Sequence, residues 1–452
     1  MPGRARTRAT MARTALALAA AAVVFAAAAS ALAQVPAEPW TIRSSNGRLD
    51  VVLIDSAATV NVLGTDMLLR VWNETFIAPV LRASPGDAIQ IRLDNYLFNT
   101  TTNLHFHGFQ VSPLSPADNS NEMIATNESH TYSFSLPADH PSGLFWYHSH
   151  AMNVIGMADG GTLHDTQWQV YNGMSGAFVI EGILDPFPML AGIKEQILAL
   201  RDINTTIPVP AAGLIDVAGG STRLVNGVAV PEYHIMMNET QFWRVANIGA
   251  DIFYTLAFSP PLPLYIFAID GNRLSRLLVQ DEYMLGPSAR VEFFIQITPE
   301  IGNQSRQLLT LYTTVGGPDD DDFPERPLVN LTVVGHTEQP VLNLTEATTV
   351  PGLPELIDYR NVPIAHNRSF VFMTVSDTDA GDDANVFTIN GHMFNMNRVD
   401  TTVTYGDVER WIIFNNSTEV HVRGRCSSLT RPPIIAPPDL TVGGRTPCIP
   451  MF

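Results

Sequence analysis

Cysteine is scarce in this chain of 452 residues, which contains only Cys426 and Cys448, both near the C-terminal end. Two cysteines cannot supply the dense disulfide framework of a small secreted scaffold. Neither lies in a recognisable metal-ligand context, and one disulfide between them is the simplest expectation for an exported protein. Cysteine chemistry therefore does not organise the molecule.

Basic residues are also few. The sequence has 26 Lys and Arg against 44 Asp and Glu, which gives a formal net charge of -18. Such a charge repels nucleic acid and anionic membrane surfaces, and no basic patch offsets it. We therefore expect no nucleic-acid partner.

Long apolar runs are confined to the N-terminus. An arginine-rich start over residues 4–13 precedes an apolar run over residues 15–29, and Ala-Leu-Ala follows at 31–33. This order predicts a secretory signal peptide over residues 1–33, cleaved after Ala33. A membrane anchor is the alternative, but the run is Ala-rich and short for a span. We expect a secreted protein, periplasmic or extracellular, with no membrane attachment after cleavage.

The rest of the chain reads as short strands separated by turns. With 46% apolar and 15% charged residues it has the composition of a globular protein. Residues 88–97, AIQIRLDNYL, alternate apolar and polar side chains as a half-buried strand does. No convincing helix interrupts this pattern, so we expect an antiparallel β-sandwich architecture.

Two pairs of histidines stand out against this background. His105 and His107 are two residues apart in TNLHFHG, and His148 and His150 have the same spacing in GLFWYHSH. Strand side chains alternate faces, so each pair projects both imidazoles to one side. A hydrogen-bonded core or surface histidine is a fair alternative for a single pair. Two pairs on strands that meet predict a metal site with four nitrogen ligands.

Three stretches, TNLHFHGFQVSP, LPADHPSGLFWYHSH and QVYNGMSGAFVIEG, resemble the first cupredoxin domain of the laccase-like multicopper oxidases. The resemblance implies an all-β fold of tandem cupredoxin-like Greek-key β-sandwich domains. It also implies a three-copper cluster between the first and third domains, held by histidines in four His-x-His pairs. His105 would then bind the type 2 copper, and His107, His148 and His150 the type 3 pair. Neutral imidazole suits both Cu(I) and Cu(II).

The resemblance also predicts the domain boundaries. Domain 1 is expected over residues 34–185, a copper-free domain 2 over 186–337, and a partial domain 3 over 338–422. Residues 151–168 depart from the family, and we interpret them as a loop whose lone His164 is structural or solvated. His234 and His336 are isolated and are not expected to bind metal.

The third domain breaks off inside a motif. His421 stands where the first type 1 copper ligand is expected, but RGRCSS follows and no later histidine occurs. Residues 423–452 are rich in proline and lack strand alternation, which predicts an aberrant, disordered tail. By motif, four of the eight cluster ligands are present, and one type 1 ligand. A shifted reading frame after residue 422 and a truncated homologue are the two explanations, and the abrupt break favours the first.

The resemblance implies one-electron oxidation of a phenol, aromatic amine or metal ion, coupled to reduction of dioxygen to water. We expect this activity to be impaired because ligands are missing. The alternative is a catalytically inactive copper-binding or structural cupredoxin protein. A zinc site built on His-x-His is disfavoured, since two successive pairs are present. Asp118, in the loop after the first motif, is a candidate proton relay, with a solvated loop aspartate as the alternative.

Overall fold

The computed structural model describes residues 39–151, 166–206, 221–314, 322–339, 341–345, 361–376, 385–393, 395, 398–404 and 406–417. Regular structure in these ranges is almost entirely β-strand, as the sequence predicts. No helix in the described ranges is long and apolar enough to cross a lipid bilayer.

The first nine strands form one β-sandwich, called here the first sandwich. Its strands are β1 (Thr41–Arg43), β2 (Arg48–Val62), β3 (Thr65–Trp72), β4 (Val80–Ala83), β5 (Ala88–Asn95), β6 (His105–His107), β7 (Ser129–Ser135), β8 (Gly143–His148) and β9 (Ser175–Ile180). One sheet has the order β1-β4-β9-β8-β6 and the other β3-β2-β5-β7. Alternation puts Leu49, Val51 and Leu53 of β2 into the core between the sheets.

Both sheets are mixed, so the expectation of an antiparallel sandwich is wrong in detail. Strands β2 and β5 pair in parallel, and β4 pairs in parallel with both β1 and β9. The chain crosses to the opposite sheet between such strands, because a hairpin cannot join parallel neighbours. These crossovers agree with the predicted cupredoxin-like fold class.

A short helix, α1 (Thr166–Asn172), interrupts the sandwich at a point where we predicted a loop over residues 151–168. Residues 152–165, which include His164, lie outside the described ranges. A helix of seven residues is not stable by itself in water. Trp168 and Tyr171 instead anchor it by packing into the apolar core that continues into the second half of the molecule.

A 3₁₀ turn, Pro188–Leu190, leads into a second sandwich. Its strands are β10 (Lys194–Ile203), β11 (Thr222–Val225), β12 (Glu232–Met237), β13 (Thr240–Asn247), β14 (Tyr254–Ser259), β15 (Leu264–Ile269), β16 (Asn272–Gln280), β17 (Glu282–Leu285), β18 (Arg290–Gln296), β19 (Arg306–Leu311), β20 (Thr313–Thr314), β21 (Asp322–Phe323) and β22 (Arg326–His336). A six-stranded sheet, β11-β10-β13-β18-β15-β16, faces a five-stranded sheet, β12-β22-β19-β14-β17, and β20 pairs with β21.

The two sandwiches are in close contact along β8. Leu144 and Trp146 of β8 share an apolar cluster with Ala246 and Ile248 of the second sandwich. At the start of β8 the backbones nearly touch, since a Cβ added to Gly143 would lie 2.9 Å from the Cα of Gly271. Only glycine permits this approach at Gly143.

The third group of strands is a single three-stranded sheet, the C-terminal sheet. It consists of β23 (His366–Ser376), β24 (Asn385–Ile389) and β25 (Glu409–Asn415) in the order β24-β23-β25. Several of its large apolar side chains are about half exposed: Phe387, Ile389, Trp411, Ile412 and Phe414. Within the described residues no second sheet packs on it, and the incomplete third domain stays a prediction. The three groups of strands lie within the segments predicted as 34–185, 186–337 and 338–422.

Candidate metal centre

The strand pair β6–β8 brings the two histidine motifs together. The strands are antiparallel, with His105 opposite His148 and His107 opposite Trp146. The intervening Phe106 and Tyr147 point into the core of the first sandwich. Because side chains alternate, the histidines project from the opposite face of the sheet, the face of β8 that also carries Leu144 and Trp146 against the second sandwich.

Three of the imidazoles converge on one point, and the fourth lies beside them. One nitrogen from each of His105, His107 and His148 lies within 4.8 Å of the others. The ring centre of His150, two residues beyond the end of β8, is 5.3 Å from that of His105 and 5.9 Å from that of His148. We call these four residues the histidine cluster. The family resemblance implied that these residues share one site, and the assignment of individual coppers to them stays a prediction.

Hydrogen bonds to the Nδ1 atoms orient two of the rings. His105 Nδ1 lies 2.9 Å from Asp118 Oδ1, and the same oxygen accepts the backbone N–H of Phe106 at 2.9 Å. His148 Nδ1 donates to the Ser149 carbonyl at 2.7 Å. An imidazole that donates from Nδ1 presents the lone pair of Nε2 for a metal. Such partners are typical of metal-binding histidines.

Asp118 is not a solvated loop residue, so that alternative is wrong. Its side chain is only 10% exposed and is held by the two bonds described above. Its position next to a cluster histidine is compatible with the predicted proton relay, and that role stays a prediction.

The missing hydrogen bonds of two buried nitrogens indicate whether a metal fits the cluster. His148 Nε2 and His107 Nδ1 have no hydrogen-bond partner among the described residues. A buried polar atom left without a partner destabilises a fold by roughly 1–3 kcal/mol. A metal ion among the rings would provide the missing partner for these nitrogens, and the all-nitrogen donor set suits copper.

Burial also keeps three of the rings neutral. Burial lowers the pKa of His107 well below its usual value, and the nearby Arg290 guanidinium lowers it further. Burial likewise lowers the pKa of His148 well below its usual value, and that of His150 to about 4, with neighbouring histidines adding to both effects. Only neutral imidazole has a lone pair for a metal, so these ligands are ready to bind at pH 7.

These shifts predict how metal affinity depends on pH. A metal that binds His107, His148 and His150 displaces no protons near pH 6, because the folded protein already holds these rings neutral. We expect these three ligands together to contribute less than about a threefold change in the Cu(II) dissociation constant between pH 7.5 and pH 6. If the three imidazoles had the usual pKa of about 6.5, the affinity for Cu(II) would fall roughly 50-fold or more over the same pH range. A competition titration with a chelator at both pH values measures this, and a steep loss of affinity below pH 6.5 would contradict it.

Trp146 further fixes the cluster. Its ring stacks on His148 with centroids 3.9 Å apart and planes inclined by 17°, and it lies 5.3 Å from His107. The indole therefore restricts both rings and shields them from water on one side.

Sequence reasoning missed two residues that fix the strand ends. Asn103 Oδ1 accepts the backbone N–H of His150 at 2.6 Å. Gln169 of α1 accepts hydrogen bonds from Thr102 Oγ1 at 2.9 Å and Ser149 Oγ at 2.6 Å. Helix α1 thus ties the beginning of β6 to the end of β8. Both residues lie in the quoted motifs, but sequence alone does not tell which amide faces the cluster.

Of the other candidate residues, those that the structure describes are not in the group with metal-binding spacing. His421, Cys426 and Cys448 lie outside the described ranges. His234 is exposed, and His336 is exposed with Nε2 3.4 Å from Glu338 Oε1. Among the described residues, the group around His105, His107 and His148 is the one with metal-binding spacing.

Comparison with known proteins supports the predicted resemblance to the multicopper oxidases. Residues 56–183 match the family model described as multicopper oxidase. The chain is 26% identical over 368 residues to the cell division protein FtsP of Yersinia pestis, which covers 78% of this chain and 71% of that protein. It is 25% identical over 348 residues to the multicopper oxidase mco of Staphylococcus haemolyticus, which covers 76% of this chain and 65% of that protein.

Solved structures share the fold. A multicopper oxidase from Campylobacter jejuni, described as a metallo-oxidase, superposes with a TM-score of 0.67 at 20% identity, over 85% of this chain and 79% of that one. A variant of the McoA multicopper oxidase from Aquifex aeolicus also gives 0.67, at 19% identity, over 86% and 83% of the two chains. The family model covers both histidine pairs, so the chain is similar to the multicopper oxidases over its first sandwich and shares their fold.

Proposed function

We propose that the chain is an exported copper protein of the multicopper oxidase type that binds copper through His105, His107, His148 and His150. The observation that carries this proposal is the convergence of the imidazoles of His105, His107 and His148, with the ring of His150 beside them, and with His148 Nε2 and His107 Nδ1 lacking another partner among the described residues. His421 is proposed as the remaining type 1 ligand on its motif alone. Export rests on the signal-like residues 1–33.

Each residue around the cluster has a definable task in this proposal. Bound copper would supply one-electron chemistry. Asp118 holds the Nδ1 proton of His105, which keeps that ring in one orientation and places a carboxylate where a proton can be exchanged. Trp146 excludes water from one side of His148. Asn103 holds the backbone of His150 so that the second pair keeps its geometry.

The proposed activity is oxidation of a phenol, aromatic amine or metal ion coupled to reduction of dioxygen, as in laccase-like enzymes. No His-x-His pair follows His150 in the sequence, so half of the family's cluster ligands are missing from it. We therefore propose that the protein with this sequence binds copper but turns over poorly by itself.

Three measurements on the purified protein test this. We expect bound copper by elemental analysis, no intense Cu(II)–thiolate absorption, and no phenol-dependent uptake of dioxygen above that of the copper-free protein. The His140→Phe variant, which alters a buried histidine outside the cluster, is the control for copper content. A blue protein with oxidase turnover would overturn the proposal of impaired activity, and a protein that retains no copper would overturn copper binding.

A structural role is the second candidate, because relatives of similar sequence identity are named cell division protein FtsP. The half-exposed apolar side chains of the C-terminal sheet are compatible with such a role. A cell that lacks this chain, complemented with the His148→Phe variant, separates the two candidates. Full rescue without copper binding would favour the structural role, whereas rescue by the wild type alone favours the copper role.

A further inference from the structure

A buried cation from the second sandwich lies beside the histidine cluster. Arg290 is the first residue of β18 and is only 3% exposed. The mechanism proposed above gives it no task. Its position is notable because 185 residues separate it from His105 in the sequence, and a guanidinium stays charged even when buried.

The contacts of Arg290 aim its side chain at the metal-binding strands. Its Nε donates to the carbonyl of Leu144 in β8 at 3.4 Å, and Nη1 donates to the carbonyl of Ser288 at 2.6 Å. Its Nη2 lies 3.0 Å from the position that a Cβ on Gly108 would occupy. Gly108 directly follows His107, and the charge of Arg290 acts on both His107 and His148.

A negative charge that partly compensates the Arg290 guanidinium lies beside its Nη1 atom. Asp270 Oδ1 is 3.4 Å from Nη1, and the Asp270 side chain is 27% exposed, so water weakens its compensation. Glu292, the other nearby acid, accepts the backbone N–H of Leu144 and lies 3.3 Å from Arg244. The guanidinium therefore contributes a net positive field at the histidine cluster.

We propose that Arg290 sets the oxidation-state preference of copper in the histidine cluster and favours Cu(I) over Cu(II). A fixed positive charge in a poorly hydrated site repels a divalent ion about twice as strongly as a monovalent ion at the same place. The inference rests on the proposed copper binding. Under this proposal the second sandwich controls the redox state of the metal, although it supplies none of the predicted copper ligands.

The test compares dissociation constants for the first equivalent of Cu(I) and of Cu(II), measured on the full chain by competition with chelators, anaerobically for Cu(I). In Arg290→Met we expect Cu(II) to gain on the order of tenfold in affinity relative to Cu(I). Arg290→Lys keeps the charge and should keep most of the wild-type ratio. Arg306→Met is the matched control, because Arg306 is an equally buried arginine of the second sandwich, and its hydrogen bonds within the described residues go to backbone carbonyls.

Asp270→Asn is expected to shift the copper preference in the direction opposite to that of Arg290→Met. It removes the counter-charge and keeps an oxygen to accept the backbone N–H of Arg290, so we expect it to increase the preference for Cu(I). This variant keeps the inference testable if Arg290→Met does not fold. If the wild type binds neither ion, copper binding itself fails and this inference fails with it. If the wild type binds both ions, but neither Arg290→Met nor Asp270→Asn changes their ratio, copper binding stands and the role of Arg290 is overturned.

Discussion

Replacement of His148 by Phe is expected to lower the copper affinity of the protein by at least about 100-fold. Phenylalanine keeps a ring that stacks on Trp146 but provides no nitrogen ligand. It also removes the buried Nε2, which has no partner among the described residues, and loses the hydrogen bond to the Ser149 carbonyl. These two effects on the copper-free protein oppose each other, so its free energy of unfolding should change by only about 1 kcal/mol.

The measurement combines a copper competition titration with urea unfolding of the copper-free protein. His140→Phe is the matched control, since His140 is a buried histidine of the same sandwich whose nitrogens contact the backbone of Gln110 and Pro141. We expect this control to lose stability and keep its copper affinity. Unchanged copper affinity in His148→Phe would exclude His148 as a ligand.

Replacement of Asp118 by Ala is expected to weaken copper binding by about 10- to 100-fold, although Asp118 is not a predicted ligand. The change removes the acceptor that fixes the His105 ring and leaves the backbone N–H of Phe106 without its partner. Asp118→Asn keeps one oxygen acceptor and loses the charge, so it should lie between the wild type and the Ala variant.

Two readouts separate orientation of the ring from proton transfer. Copper affinity reports on the ring of His105, whereas the pH profile of any turnover reports on the carboxylate. Asp139→Ala, an aspartate in a loop of the same sandwich, is the control substitution. If Asp118→Ala binds copper as tightly as the wild type, the hydrogen bond to His105 has no role in the metal site.

Strand alternation was sufficient to predict that each His-x-His pair projects both rings to one side, and the resemblance to multicopper oxidases implied that the two pairs share one site. The sequence did not predict the strand pairing. The parallel pairs β2–β5 and β4–β9 depend on crossovers between sheets, which leave no local signal in the sequence. Helix α1 was missed for a similar reason, since packing of Trp168 and Tyr171 stabilises it rather than helix propensity.

The supporting residues of the site were harder to predict than its ligands. Asn103 and Gln169 act through hydrogen bonds to groups that come together only after folding. Arg290 reaches the cluster from another sandwich, and nothing in its sequence surroundings distinguishes it from the other arginines. Long-range contacts of this kind depend on the complete three-dimensional arrangement, whereas the histidine spacing is a local property.

The glycine contact between Gly143 and Gly271 has a consequence for the autonomy of the first sandwich. A fragment excised after residue 185 would retain every histidine of the cluster, yet it would uncover Leu144 and Trp146. It would also strip the Leu144 amide of its acceptor on Glu292. The first sandwich is therefore not expected to be stable by itself, and the second sandwich forms part of the surroundings of the histidine cluster.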